Sequence, residues 1–204
     1  MTTLWLVRHG ETNWNVEHRF QGSSDQPLNQ NGESQATALS NRLDKMSFDA
    51  MYCSDLIRVQ RTAELALNGN IDRLVLDARL QEFNFGKWEG LSWKEARELD
   101  SVAFDEWASD RENNPHGGER ISDMVTRLDS FLSDLQEKHD KDEQILIFAH
   151  GGTLGSLLCL LLGNDPKHWW HYRFLNCSLS QVELLNRGAV LVRLNDTGHF
   201  PDSD

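Results

Sequence analysis

The chain has 204 residues, of which 39% are hydrophobic and 25% are charged, and its formal net charge is −12. A chain of this length can bury most of the surface that its unfolded form exposes, so one domain over residues 1–204 is predicted, with no need of disulfides or metal to fold. The acidic balance argues against nucleic acid and anionic membranes as partners. An anionic ligand would therefore need a local cluster of cationic side chains.

The cysteines indicate a reducing environment. Cys53, Cys159 and Cys177 are odd in number and widely spaced, which fits neither a disulfide framework nor a CxxC metal site. We expect reduced core cysteines in a cytoplasmic protein. The first residues lead into an apolar run without a basic segment, so no secretory signal is expected. The apolar segment Leu154–Gly163 has about half the length of a membrane span and predicts a core helix.

Apolar runs and helical periodicities alternate along the chain, which predicts an α/β sandwich. Continuous apolar runs are typical of parallel strands buried on both faces. In chain order we predict a strand at Leu4–Val7, a helix at Gly32–Lys45, a strand at Phe48–Ser54, a helix at Asp55–Leu67 that Ser54 caps, a strand at Ile71–Asp77, a helix at Ile121–His139, a strand at Glu143–His150, and a hairpin of Ser178–Leu185 and Ala189–Asn195 around Asn186–Gly188.

Three turn-rich segments interrupt this alternation and are candidates for a binding site, since loops carry function on such scaffolds. They are residues 21–32, 80–91 and 113–120. No segment has the composition of a linker that would divide the chain. A single domain remains the prediction.

Polar groups follow three of the predicted strands, where ligands bind in α/β sheets. The first strand ends at Arg8-His9-Gly10, the second leads into the helix that carries Arg58, and another ends at His150-Gly151. One such histidine alone would be read as a hydrogen-bonded core residue. Two of them, each followed by glycine and accompanied by two arginines, indicate a functional site.

Five motifs in register resemble the histidine phosphatase superfamily, in its phosphoglycerate mutase-like branch. They are RHGET from Arg8, PLNQNGESQA from Pro27, SDLIRVQRTA from Ser54, LQEFNFGKWEG from Leu80 and FAHGG from Phe148. The resemblance covers essentially the whole chain. It implies a three-layer α/β/α sandwich with a mostly parallel central sheet and helices on both faces.

The resemblance also implies a mechanism. His9 would be the nucleophile that forms a phosphohistidine, Arg8 and Arg58 would clamp the phosphate, and His150 would be a hydrogen-bond donor and charge partner. We expect further substrate contacts from Asn15, Gln21, Gly22 and Gly151. Phosphoryl transfer asks mainly for charge neutralisation and in-line attack. With two arginines and one protonated histidine to supply the charge, neither a metal nor a cofactor is expected.

Glu82 is the expected proton shuttle. One carboxyl group can protonate the leaving oxygen and later deprotonate water, provided that an apolar setting lets it hold a proton near neutrality. Leu80, Phe83 and Trp88 around it indicate such a setting. Glu89 is the rival carboxylate. The alternative reading of Glu82 is a solvent-exposed loop residue.

Chemistry does not separate phosphatases from mutases, because both share the same core residues. The segment LQEFNFGKWEGLSW around Glu82 looks like the phosphatases, and the chain is similar to α-ribazole 5′-phosphate phosphatases of cobalamin nucleotide-loop assembly and to broad-specificity phosphatases. Arg120, after Glu119, departs from the usual P-x-G-E-S loop and leaves the substrate contacts open. A cofactor-dependent phosphoglycerate mutase and a non-catalytic module that binds phosphate or senses phosphohistidine are the alternatives. We expect a small-molecule phosphomonoester as the partner, and we expect the chain to be a monomer or a homodimer.

Four further features have weaker claims to function. The pair His168 and His171 lacks an evident third ligand, so surface histidines beside packed tryptophans are expected. Trp88 and Trp93 could stack on a substrate ring or belong to the core. His116, in the NPHGGE loop, could touch substrate.

Overall fold

The computed structural model describes residues 1–113, 116–139 and 142–201, and in them strands alternate with helices. The strands are β1 (Thr2–Arg8), β2 (Ala50–Cys53), β3 (Leu74–Leu76), β4 (Gln144–Ala149), β5 (Leu179–Leu185) and β6 (Gly188–Asp196). The α-helices are α1 (Asn13–Val16), α2 (Gln30–Leu43), α3 (Ile57–Ala66), α4 (Trp93–Leu99), α5 (Ser101–Ser109), α6 (Ile121–Lys138) and α7 (Gly151–Leu162). Short 3-10 turns lie at Ala78–Leu80, Gly86–Trp88 and Pro166–His171.

The strands form one six-stranded sheet in the order β3-β2-β4-β1-β5-β6. β3, β2, β4 and β1 are parallel to one another, whereas β5 and β6 form an antiparallel hairpin next to β1. Arg8 pairs with Ala149 and Cys53 pairs with Phe148. Because these strands run the same way and end level, the residues that follow β1, β2 and β4 meet at one edge of the sheet.

Side chains alternate between the two faces of the sheet, and each face is covered by helices. On one face Leu6 and Ile147 belong to a buried cluster with residues of α6 and α7. On the other, Val7 and Phe148 belong to a cluster with residues of α2 and α3. Alternation with period two explains why strands covered on both sides read as unbroken apolar runs. The predicted three-layer α/β/α sandwich with a mostly parallel sheet is confirmed.

The helix that follows β2 differs from its prediction. α3 begins at Ile57, after Leu56, and Ser54 does not cap it. The N–H of Ile57 instead donates to the Asp25 carboxylate over 2.8 Å. The Ser54 hydroxyl lies 2.9 Å from Nε2 of His150, so it serves the strand edge. Prediction of the cap failed because these partners are remote in sequence.

The predicted core helix is confirmed as part of α7, which begins at Gly151, three residues before the predicted start. Its C-cap, Gly163, has a φ of +71°, a left-handed conformation that glycine adopts without a Cβ clash and that ends the helix. Among the described residues, no helix is long and apolar enough to cross a membrane. Cys53, Cys159 and Cys177 are buried and unbonded, as predicted.

Candidate active site

His9 directly follows β1 and is buried, with 3% of its surface exposed. Its Nδ1 lies 2.7 Å from the carbonyl oxygen of Gly10. A carbonyl oxygen can only accept a hydrogen bond, so Nδ1 carries the proton and Nε2 keeps its lone pair. Burial lowers the pKa of His9 well below its usual 6.5, and the charges of Arg58 and Arg8 lower it further. The ring is therefore a neutral imidazole with a free basic nitrogen.

His150 follows β4 and is fully buried beside His9. The two ring centroids lie 5.2 Å apart with the planes inclined by 64°. Burial lowers the pKa of His150 well below 6.5, and nearby Arg58, His9 and Arg8 lower it further. The expected protonated histidine is therefore not favoured before an anion binds. Its Nδ1 is buried and has no hydrogen-bond partner among the described residues.

Two buried guanidinium groups lie close enough to the histidines to influence their titration. Arg58, in the first turn of α3, is fully buried and donates to the carbonyl oxygens of Gly22 and Ser24 over 2.6 and 2.8 Å. Arg8, at the end of β1, donates to the carbonyl oxygen of Phe174 over 2.8 Å. Burial lowers the pKa of Arg58 to about 10 and also lowers that of Arg8, against the opposite effect of Glu82. Both groups remain cationic at neutral pH.

Arg8, His9, Arg58 and His150 are named here the strand-end cluster. Three of its N–H or ring-nitrogen positions are buried without a hydrogen-bond partner in the part of the chain that the structure describes: Nε of Arg8, Nε of Arg58 and Nδ1 of His150. Buried polar groups are almost always satisfied, and buried charges are paired. Such unsatisfied nitrogens around two cations form a site that can bind a compact anion.

The Glu82 carboxylate packs against the N-terminal turn of α7, next to this cluster. Its carboxylate accepts hydrogen bonds from the backbone N–H of Gly152 over 2.9 Å, of Thr153 over 3.0 Å and of Phe83 over 3.0 Å. The positive end of a helix favours an anionic side chain. The apolar setting expected from Leu80, Phe83 and Trp88 is thus replaced by a polar one. The carboxylate is half-buried rather than solvent-exposed.

The other predicted contact residues lie around the cluster in supporting positions. The amide oxygen of Asn15 accepts from the Thr12 N–H over 3.1 Å, and that of Gln21 accepts from the Thr12 hydroxyl over 2.9 Å. Gly22 uses its carbonyl oxygen for Arg58. Gly151 packs on Arg8, whose Nε would lie 3.4 Å from a Cβ added there.

Gly10 lies against the first turn of α2. A Cβ at Gly10 would lie 2.5 Å from the carbonyl oxygen of Gly32, so the glycine lets α2 approach the strand end. Its N–H donates to the Thr62 hydroxyl over 2.9 Å. The Gly152 N–H donates to Glu82 over 2.9 Å. Both N–H groups are thus engaged within the protein.

Two groups of contacts were not predicted. The Asn176 side chain donates to the His9 carbonyl oxygen over 2.9 Å and lies 3.3 Å from the Asn15 amide oxygen, which connects the loop before β5 to the strand end. Glu89 accepts hydrogen bonds from Ser23 and Ser24. A lone asparagine or an acidic loop residue carries no sequence signal for such a contact.

A cavity of about 310 Å³ opens beside Glu82. Its lining is polar and includes Ser23, Gln81, Glu82, Asn84, Glu119 and Arg127. Glu119 and Arg127 form an ion pair with 2.7 Å between Nε and Oε1. A wider depression of about 550 Å³ lies between α1 and the start of α2, but none of the strand-end cluster lines it. Of these two cavities in the described part of the chain, the smaller one is lined by Glu82 and the wider one is not.

The weaker candidates are placed elsewhere. Trp88 is fully buried in an aromatic core, whereas Trp93 is half exposed and stacks on Phe20. Nε2 of His116 lies 3.3 Å from the Asp100 carboxylate. His168 and His171 are exposed and stack on each other. Across the described residues, no group of three or more His, Cys, Asp or Glu side chains is placed to hold a metal ion.

Fold and site together define an α/β/α protein with a histidine–arginine site for a compact anion. The sequence profile of the histidine phosphatase superfamily (branch 1) matches residues 4–197. The chain belongs to this superfamily, as the motifs predicted.

Several known proteins are similar over nearly the whole chain. Phosphoserine phosphatase 1 of Hydrogenobacter thermophilus is 31% identical over 98% of this chain and 95% of its own. A protein of Cronobacter sakazakii named "Probable phosphoglycerate mutase GpmB" is 34% identical over 98% and 95%. The crystal structure of the α-ribazole phosphatase from Shigella flexneri superposes with a TM-score of 0.89 at 33% identity, covering 96% of each chain.

Proposed function

We propose that this chain hydrolyses small-molecule phosphomonoesters through a phosphohistidine on His9. The observation that carries the proposal is the strand-end cluster. In it, the neutral imidazole of His9 lies beside two buried guanidinium groups and a second histidine, and each of these three neighbours has an unsatisfied nitrogen. Membership of the histidine phosphatase superfamily supports the same chemistry. One domain, residues 1–204, carries the activity.

In the first step, Nε2 of His9 attacks phosphorus and the bond from phosphorus to the leaving oxygen breaks. The lone pair on Nε2 is available because the proton is held on Nδ1 by Gly10. Arg8 and Arg58 stabilise the charge on the equatorial oxygens, which is the main task of a protein in phosphoryl transfer. His150 donates to the same oxygens, and an anion there would favour its protonated form.

In the second step, a water molecule attacks the phosphohistidine, and the bond from phosphorus to Nε2 breaks. Glu82 gives its proton to the leaving oxygen in the first step and takes one from the water in the second. Hydrogen bonds from the Gly152 and Thr153 N–H groups fix the position of this carboxyl group at the start of α7.

The leaving group occupies the cavity beside Glu82. Hydrogen-bonding side chains dominate its lining, which suits an alcohol with further hydroxyl or amino groups near the ester oxygen. The ribose of α-ribazole 5′-phosphate is such a group, and this ester is our first choice, followed by other small phosphomonoesters. Phosphoserine also fits, and a relative at 31% identity is named for it.

A panel of phosphomonoesters ranked by kcat/KM tests the proposal. It contains α-ribazole 5′-phosphate, phosphoserine, phosphoglycerates and sugar phosphates. Phosphate release from at least one of them supports hydrolysis, and the ranking selects the substrate. Absence of turnover with retained phosphate binding would instead indicate the non-catalytic module.

A phosphoglycerate mutase is the second candidate, because at least four relatives with 33–34% identity are named as probable phosphoglycerate mutases. The test supplies 3-phosphoglycerate with a bisphosphoglycerate primer and follows both isomer and phosphate. A hydrolase releases phosphate faster than it forms 2-phosphoglycerate. The reverse order would overturn the assignment to hydrolysis.

The free buried thiols at Cys53, Cys159 and Cys177 support a reducing compartment, and we place the protein in the cytoplasm. We keep both a monomer and a homodimer as working states. The proposed mechanism works equally in either state, because the strand-end cluster and Glu82 all come from one chain.

A further inference from the structure

Glu89 connects two loops at the edge of the site. One oxygen of its carboxylate accepts from the N–H and the hydroxyl of Ser23 over 2.9 and 3.1 Å, and from the N–H of Phe85 over 3.2 Å. The other accepts from the N–H and the hydroxyl of Ser24 over 2.8 and 2.5 Å. All five partners are donors. A carboxylate, which is an acceptor only, matches this set, and an amide does not.

The loop that Glu89 holds is the one that positions Arg58. The two terminal nitrogens of Arg58 donate to the carbonyl oxygens of Gly22 and Ser24, which flank Ser23. Gly22 has a φ of +52°, and a Cβ there would lie only 2.0 Å from Oε1 of Glu89. The close approach of the carboxylate therefore depends on glycine, and the turn is fixed from both sides.

We propose that Glu89 is a positioning residue: it fixes the turn at residues 22–24 so that the two carbonyl oxygens of that turn orient the Arg58 guanidinium toward the phosphate. The inference rests on the proposed function of Arg58. Glu89 is thus not the rival proton shuttle. Five donors surround its two oxygens, and Glu82 rather than Glu89 lines the cavity that receives the leaving group. The negative charge of Glu89 also favours the cationic form of Arg58.

The test is a double-mutant cycle with inorganic phosphate as the probe. Glu89→Gln places an amide N–H₂ against at least one donor, so the turn shifts and Arg58 loses its fixed orientation. We expect the phosphate Kd to rise roughly tenfold, because small misplacements of a clamp are costly. In an Arg58→Ala background the same change should leave the Kd nearly unchanged, since a contact that acts through Arg58 is non-additive with its removal.

Glu95→Gln is the matched control. Glu95 likewise accepts from a serine in the same part of the chain, through the N–H of Ser92 over 2.8 Å, but it caps α4 and does not contact the turn at 22–24. The substitution Glu95→Gln should lower Tm and leave the phosphate Kd as in the parent. A purely structural role of Glu89 would give this same pattern and would overturn the inference.

Other outcomes separate the inference from the proposed function. Equal effects of Glu89→Gln with and without Arg58 would show that Glu89 acts independently, which overturns the inference alone. Unchanged phosphate binding in Arg58→Ala itself would overturn the proposed anion site and the inference with it. If Glu89→Gln does not fold, Ser24→Ala removes only one hydroxyl donor. It should weaken phosphate binding severalfold in the parent and not in the Arg58→Ala background, and equal effects would again contradict the inference.

Discussion

The imidazole rings of His9 and His150 lie 5.2 Å apart, centroid to centroid, although 140 residues lie between them in the chain. Each ring follows a strand directly, and these strands are parallel neighbours in which Arg8 pairs with Ala149. The register of the sheet therefore sets the distance between the rings. Because neither ring depends on a long loop, we expect the site to be rigid before substrate arrives.

His9→Ala should abolish turnover by orders of magnitude and leave vanadate binding largely intact. The nucleophile is removed, whereas Arg8, Arg58 and His150 still supply the donors and charge. Steady-state kinetics and a vanadate titration of the same sample test this. His171→Ala, an exposed histidine in the 3-10 turn before β5, is the control and should resemble the parent. Substantial activity in His9→Ala would refute the nucleophile assignment.

Glu82→Gln should reduce kcat by roughly 10²- to 10⁴-fold, the usual contribution of a general acid–base group. The loss should be largest for alkyl phosphates and smaller for p-nitrophenyl phosphate, whose leaving group needs no proton. The control is Glu98→Gln, because Glu98 is exposed and pairs only weakly with Lys94 at 3.7 Å. An equal loss on both substrates would assign Glu82 to binding or structure rather than to proton transfer.

The buried histidines should make stability depend on pH. Burial and the arginines lower the pKa of His9 and His150 below 6.5 in the folded state, so the unfolded chain binds more protons as the pH falls below that value. Each imidazole then costs ~1.4 kcal/mol of unfolding free energy per pH unit until its folded pKa is reached. The contribution of these two neutral imidazoles to stability is thus fully present above about pH 6.5 and is lost on acidification.

Urea unfolding at several pH values between about 7 and 5.5 measures this dependence. His9→Ala should flatten the slope by the share of one imidazole. His168→Ala, which removes an exposed ring, should keep the parental slope. A parental slope in His9→Ala would show that His9 is already protonated in the folded protein.

Activity should survive EDTA. The phosphate charge is balanced by two guanidinium groups that remain cationic, and the donors around them are nitrogens, which do not bind Mg²⁺ readily. Assays before and after dialysis against EDTA, with and without added Mg²⁺, check this. A loss that Mg²⁺ restores would indicate a metal-dependent mechanism.

The sequence could predict the sheet edge because strands buried on both faces leave a clear apolar signal, and polar residues directly after them must meet. The proximity of Arg8, His9 and His150 followed from the strand assignment and from the rule that parallel strands end at one edge of the sheet. Arg58 came from the resemblance and from its position one turn into the helix after β2.

The environment of Glu82 could not be predicted in the same way. Its sequence neighbours Leu80, Phe83 and Trp88 turn into the core, so they describe the loop's anchor rather than the carboxylate's surroundings. The actual partners, Gly152 and Thr153, lie about seventy residues away and are brought in by α7. Hydrogen bonds across such distances leave no periodic pattern. The same reason hid the cap of α3 and the role of Glu89.

The proposed mechanism requires a covalent phosphohistidine on His9. A quench experiment tests this directly. Enzyme is mixed with excess substrate and quenched in alkali within the first turnovers, because phosphohistidine survives alkali. The phosphopeptides are then mapped by mass spectrometry. We expect one phosphoryl group on the peptide that contains His9. It should be absent from His9→Ala and should increase in Glu82→Gln with p-nitrophenyl phosphate, because loss of the carboxyl group slows the attack of water. A phosphoryl group on His150, or turnover with no phosphohistidine at any quench time, would contradict it.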